Sequence, residues 1–214
     1  GSISDATGTI TVGVGTLDHI RINDSAGSGG VEVTTLTLSS GQSVDLYTSG
    51  YDSDNNYISA VSTDWSRTGT LDPVGGPGSS ITFTPTTAPS QGTIIATDGT
   101  RNDATGQIDV LSGSLDHITV RNAPNEGGSE VTSVSMTADD QLSLYAAGYD
   151  ASNNYLGDYT AEWVSTGSLD EISFNGDNLL FEPVLAPSSG TLIAQVGSIS
   201  DATGTITVGV GTLD

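Results

Sequence analysis

The chain has 214 residues, of which 26 are acidic and 4 basic, giving a net charge of −22 at pH 7 with no Lys and no Cys. That balance repels nucleic acid and anionic membrane surfaces, and the lack of Cys excludes both a disulfide framework and thiolate zinc sites. Thr, Ser, Val, Ile and Gly dominate, and Leu, Glu and Gln never gather at helical spacing, so the chain reads as all-β and secreted.

In chain order, the opening GSISDATGTITVGVGTLD (1–18) is letter for letter the segment 197–214. LDHIRI (17–22) reads as a first strand, and a Gly-rich turn (SAGSGG) leads to a second over 31–39. GQ opens SVDLYTSGY (43–51), where Val44 and Leu46 alternate with Asp45 and Tyr47, and DSDNN forms a hairpin tip. YISAVSTDWS (57–66) reads as one strand with Val61, Thr63 and Trp65 on the core face. TGTLD (68–72) follows as a short strand, then SITFTP with Ile81 and Phe83 inward, GTIIAT, and ATGQIDVLSG with Ile108 and Val110 inward. That makes seven or eight strands with turn signals at short spacing, the pattern of a sandwich and not of βαβ units.

LDHI at 17–20 returns at 115–118 and LD at 213–214, a 98-residue period that carries Tyr51 to Tyr149, Trp65 to Trp163, Phe83 to Phe181 and Gly92 to Gly190. About 40 of 98 positions agree, so the two copies share a fold. The organisation read from this is 1–16 as the final strand or strands of a preceding module, modules at 17–114 and 115–212, and 213–214 as the start of the next. Identity at an offset of two units marks a doubled A-B-A-B repeat cut from a longer chain. Units of this size with one Trp in the third main strand match an immunoglobulin-like sandwich without the inter-sheet disulfide, so Trp65, Trp163, Phe83 and Phe181 are the expected structural core. Linkers of about three residues limit bending.

GQSVDLYTSGYDSDNNYI, the downstream Trp followed by TGTLD, ITFTPTTAPSQGTIIAT and DATGQIDV leading into G-x-LDHI resemble the bacterial Ig-like repeats of invasin/intimin-type and other giant surface adhesins. The resemblance covers the whole chain. It implies a structural stalk outside the cell, with adhesion carried by other domains. The implied partners are neighbouring Ig-like modules of the same or adjacent chains, including filament self-assembly. Lys–Asn isopeptide locking is unavailable without Lys.

Asp52, Asp54 and Asn56 alternate like the first ligands of a calcium loop, and Asp150 and Asn154 repeat part of the set. The full pattern fails at Tyr57, at Thr63 and at Ser152, and the competing reading is a tight Asn-Asn turn. Asp18 and Asp116 near the linkers are a second calcium candidate. His19 and His117 read as junction packing, and Tyr47 and Tyr145 as outward aromatics for cross-strand packing or glycan. Asn23-Asp24-Ser25 fits the N-glycosylation triplet. No nucleophile–base set or phosphate loop is present in the sequence, so no enzymatic activity is expected and calcium is the one cofactor considered. No apolar run approaches the roughly 20 residues of a membrane-spanning helix, and no leader opens the chain.

A lone terminal strand needs completion, either by the upstream part of one continuous chain or by a neighbouring subunit accepting it. The letter-for-letter repeat favours the continuous chain. The leading function is a spacer or filament segment. The alternative is an adhesin that binds glycan or protein through end loops, where 72–82 is the most divergent stretch between units.

Overall fold

The computed structural model describes residues 1–211 and divides into two compact units, Gly1–Leu111 and a second from Ser112 onward. In unit 1 the strands are β1 (His19–Asn23), β2 (Leu36–Ser39), β3 (Val44–Tyr51), β4 (Tyr57–Ala60), β5 (Thr63–Arg67), β6 (Pro77–Gly78), β7 (Ser80–Phe83), β8 (Ser90–Gly92), β9 (Ile94–Thr97), β10 (Asn102–Ala104) and β11 (Ile108–Leu111). Unit 2 holds β12 (His117–Arg121), β13 (Val134–Thr137), β14 (Leu142–Tyr149), β15 (Tyr155–Asp158), β16 (Ala161–Ser165), β17 (Ser173–Gly176), β18 (Asn178–Phe181), β19 (Ser188–Gly190), β20 (Leu192–Val196), β21 (Ile199–Ala202) and β22 (Ile206–Gly209). Gly27–Gly29 forms a single short 3-10 turn.

In unit 1, β3 pairs with β1, β4 and β7, and this sheet faces a second ordered β10-β9-β5-β6. A three-stranded sheet, β2-β11-β8, completes the sandwich, with β11 parallel to β2 and antiparallel to β8. Unit 2 repeats the plan with β14 central to one sheet, β17-β16-β20-β21 opposite, and β13-β22-β19 completing it. Both units are Ig-like β-sandwiches, so the chain is an all-β tandem.

The strands are shorter and more numerous than the sequence reading because three runs change sheet partway. Residues 57–66, read as one strand, divide into β4 and β5, which lie in different sheets. GTIIAT (92–97) and ATGQIDVLSG (104–113), each also read as one strand, fall across β8 and β9 and across β10 and β11, again in different sheets. Alternation of apolar residues survives such a crossing, so hydrophobic pattern alone does not reveal it. The run 68–72 is no strand. Gly69, at φ 63°, turns the chain beside the Gln91 carbonyl, although Leu71 is buried.

Each unit has its own core. Trp65, Phe83, Leu46, Ile22, Ile94 and Ile108 pack together in unit 1, and Trp163, Phe181, Leu144, Val120, Leu192 and Ile206 in unit 2. The four large rings are nearly sealed, Trp65 at 6%, Phe83 at 3%, Trp163 at 0% and Phe181 at 1% exposure. Each indole N–H finds a carbonyl, Trp65 on Gly78 at 3.0 Å and Trp163 on Gly176 at 3.3 Å, so neither polar tip is left unpaired inside. Residues 1–16 form no strand, and Ile3, Ile10 and Val12 stand 102%, 76% and 89% exposed. Residues 213–214, read as the start of a further module, lie outside the described residues.

Candidate functional site: the carboxylate-centred loops

The loop after β3 is organised around Asp52, whose side chain is sealed from solvent while the neighbouring Asp54 is open. Asp52 Oδ1 accepts the backbone N–H groups of Asp54 at 3.0 Å and Asn56 at 2.8 Å, and Asn56 Nδ2 donates to both carboxylate oxygens. Asn55 sits at φ 62°, the left-handed conformation that Asn tolerates better than most residues. The remaining strong contact is distant in sequence: Gly15 N–H donates to Asp52 Oδ2 at 2.7 Å. The Gly15 N–H, then the Asn56 side chain and N–H, hold the Asp52 carboxyl down at about 2.

Unit 2 builds the same arrangement. Asp150 accepts from Ser152 N at 2.9 Å, Asn154 N at 2.9 Å and Asn154 Nδ2, and Gly113 N–H donates to its Oδ2 at 2.8 Å. Asn153 takes φ 64°. The structure therefore brings Asp52 together with Asn56, and Asp150 with Asn154, as closed turns whose oxygens face N–H donors. Asp54 joins the cluster only through its backbone N–H, its side chain being exposed, and Ser152 stands in its place in unit 2. A cation would have to displace these donors. Among the described residues, no group of three or more His, Cys, Asp or Glu side chains is placed to hold a metal.

The other candidates are also local. His19 stacks on Tyr51 at 5.6 Å and His117 on Tyr149 at 5.4 Å, each with Nδ1 3.2 Å from the preceding aspartate, Asp18 or Asp116. Each imidazole thus packs on its own unit's tyrosine. The Asn23 triplet is closed to modification: Asn23 is buried, and its Nδ2 donates to the Tyr51 hydroxyl at 3.0 Å. Tyr47 and Tyr145 are half-buried on the outer face of β3 and β14. An open groove on unit 1 is lined by Thr37, Thr70, Gln91 and Asp109 among others.

Two further carboxylate devices were missed in the sequence. Asp103 Oδ2 accepts the N–H of Ile22 at 2.6 Å, and Asp201 Oδ2 that of Val120 at 2.7 Å, tying the penultimate strand to the first across the sandwich edge. In the same stretch Thr105 and Thr203 hydroxyls accept the N–H of Ile94 and Leu192. Gly106 and Gly204 pass so close to a neighbouring strand that an added Cβ would lie 1.2 and 1.1 Å from the Thr34 and Thr132 carbonyl oxygens. The signal was present: DATG stands unchanged at 5–8, 103–106 and 201–204. The second device is Asp72, whose Oδ2 accepts the N–H groups of Thr86 and Thr87. Burial pushes its carboxyl up, but these donors and the Thr hydroxyls outweigh that and hold it at about 2. In unit 2, Asp170 Oδ2 accepts the N–H groups of Val184 and Leu185 at 2.9 and 3.1 Å.

Unit 2 exposes apolar side chains where unit 1 does not. Phe174, Leu180, Val184 and Leu185 are all open to solvent, and the corresponding residues of unit 1 are Gly76, Thr82, Thr86 and Thr87.

No protein-family model matches the chain, and no curated protein matches it. Solved structures that resemble it include bacterial adhesins and proteins with tandem Ig domains. The Escherichia coli adhesin FdeC aligns over 95% of this chain and 68% of its own at 12% identity and a TM-score of 0.39. The Yersinia pseudotuberculosis adhesin InvE aligns over 83% and 57% at 16% identity and a TM-score of 0.33. The N-terminal four Ig domains of Dscam1 isoform 6.9 align over 95% of this chain at 9% identity and a TM-score of 0.37, and the chain spans about half, 48%, of that structure. No helix among the described residues is long and apolar enough to cross a membrane.

Proposed function

We propose that this chain is a structural spacer segment of a large extracellular bacterial surface protein of the invasin/intimin type, with Ig-like modules in series and no catalytic role. One observation carries the reading. The segment entering each sandwich is fastened to it by a glycine N–H on a sealed carboxylate, Gly15 on Asp52 and Gly113 on Asp150. A fastened entry transmits tension into a folded module instead of letting the joint fray, which is what a load-bearing series requires. The strongly acidic surface keeps such a chain soluble and apart from its neighbours. Immunogold electron microscopy of native cells with antibody to this chain tests it. Label distributed along projecting surface fibres is the expected result, and label confined to the cell interior overturns the reading.

A second reading, an adhesin that binds glycan or protein, draws on the apolar side chains Phe174 and Leu180 that unit 2 exposes in its divergent stretch. Retention on immobilised glycans or host cells that is lost on Phe174→Ser with Leu180→Ser would favour it, and equal retention of both proteins would remove it.

A further inference from the structure

One sequence occurs twice in this structure in opposite states. Residues 197–211 form β21 and β22, with Ile206 and Val208 fully buried, while the identical residues 1–15 form no strand and leave Ile10 and Val12 in water. Every contact that seats the first copy has its donor or acceptor in the second. Asp5 stands for Asp201, which accepts Val120 N–H, and Thr7 for Thr203, which accepts Leu192 N–H. Gly8 stands for Gly204 beneath the Thr132 carbonyl, and Ile10 and Val12 stand for the core residues Ile206 and Val208.

The equivalent strands of unit 1 differ at the hairpin that begins them. There Asp98 and Arg101 face each other, with Arg101 Nη1 donating to Asp98 Oδ2 at 2.8 Å. The guanidinium also donates to the carbonyls of Leu17 and Asp18, and the Asp98 side chain is only 10% exposed. In unit 2 the facing pair is Val196 and Ile199, both packed against the apolar core. Residues 1–16 carry Ile3 at this place. Set into a unit-1 frame, Ile3 would leave the Asp98 carboxylate, 10% exposed, without its cation and would take the guanidinium away from the Leu17 and Asp18 carbonyls, which destabilises that closure chiefly through the unpaired carboxylate.

We propose that residues 1–16 are a transferable closing strand pair that fits the unit-2 frame of a second copy of this chain and is refused by the unit-1 frame. The inference stands on the fold and not on the spacer reading. A tethered strand pair competes at an effective concentration of about millimolar, so the resident strands hold their place until they are cut free.

The test places a protease site between Val196 and Gly197 of the full chain, lets both units fold, cleaves, and adds labelled peptides. The peptide of residues 1–16 is expected to enter unit 2 at least tenfold more readily than that of residues 99–114, with the order reversed for unit 1 in a chain cut instead between Asp98 and Gly99, and an Ile10→Asp, Val12→Asp peptide is expected to stay out. A companion chain ending at residue 196, whose only donors are the 1–16 segments of other copies, is expected to form oligomers by light scattering that excess free peptide 1–16 disperses. Equal entry of the 1–16 and 99–114 peptides would overturn the selectivity. A cleaved chain that takes up neither, with the shortened chain monomeric at all concentrations, would overturn the transfer itself.

Discussion

Asp52 shows how a single side chain can join parts of the chain that sequence proximity does not. Its partners include an N–H 37 residues away, and nothing in the pattern YDSDNNY announces Gly15 as a donor. The short polar run was legible as a turn, since Asn55 and Asn153 take the positive φ their type favours. The sealed carboxylate at its centre was not legible, because alternating Asp and Asn is equally the spacing of a calcium loop. The geometry predicts how acid acts. The Asp52 carboxyl lies at about 2 when folded against an ordinary 3.8, so its contribution to stability is complete above about pH 4 and is lost as pH falls towards 2. Asp52→Asn is expected to lower the melting temperature at pH 7 by about 5 °C and to flatten the decline between pH 4 and 2, both read by circular dichroism. Calcium is expected to do little: melting curves in chelator and in millimolar calcium should superimpose, and a rise of several degrees in calcium would assign the loop to metal instead.

Among the elements, the crossing from the β9–β10 sheet to β11 is where the sequence reading and the structure part. A run of alternating apolar residues was read as one strand across 104–113, yet Asp103, Thr105 and Gly106 use their side chains and bare backbone to carry the chain between sheets. Periodicity reports which face is buried, whereas sheet identity depends on partners far along the chain. The same residues in unit 2 supply a sharp test. Gly204→Ala would set a methyl 1.1 Å from the Thr132 carbonyl, a backbone atom unable to move aside alone. A loss of about 3 kcal/mol is expected in urea denaturation, while Gly197→Ala, a strained but open position, should cost less.

For the whole molecule, the two cores share no residue, so each unit is expected to unfold on its own account. Trp163→Ala should destabilise unit 2 by about 3–5 kcal/mol and leave the fluorescence transition of Trp65 in unit 1 where it was. A shift of both transitions together would show energetic coupling between the units. The all-β tandem of Ig-like sandwiches was legible at this scale because short strands with turn signals between them run the length of the sequence. The exposed Phe174 and Leu180 were not, since apolar letters on a strand read as interior whichever way they point.

The bond from Asp201 to Val120 spans 81 residues, and that from Asp103 to Ile22 spans the same distance, so each sandwich is closed by the part of it that is made last. A ribosome or an export pore that delivers the chain from its N-terminus therefore releases every module first as an open frame, its core wet until the final strands emerge. In a row of similar modules, an open frame can be closed by the wrong neighbour's strands, the characteristic misfolding hazard of repeat proteins. On the closure selectivity proposed above, the Asp98–Arg101 pair in one unit and Val196–Ile199 in the other would hinder each frame from accepting the other's closing strands. A difference between the two units at this one facing pair would then act as proofreading while the chain is being made.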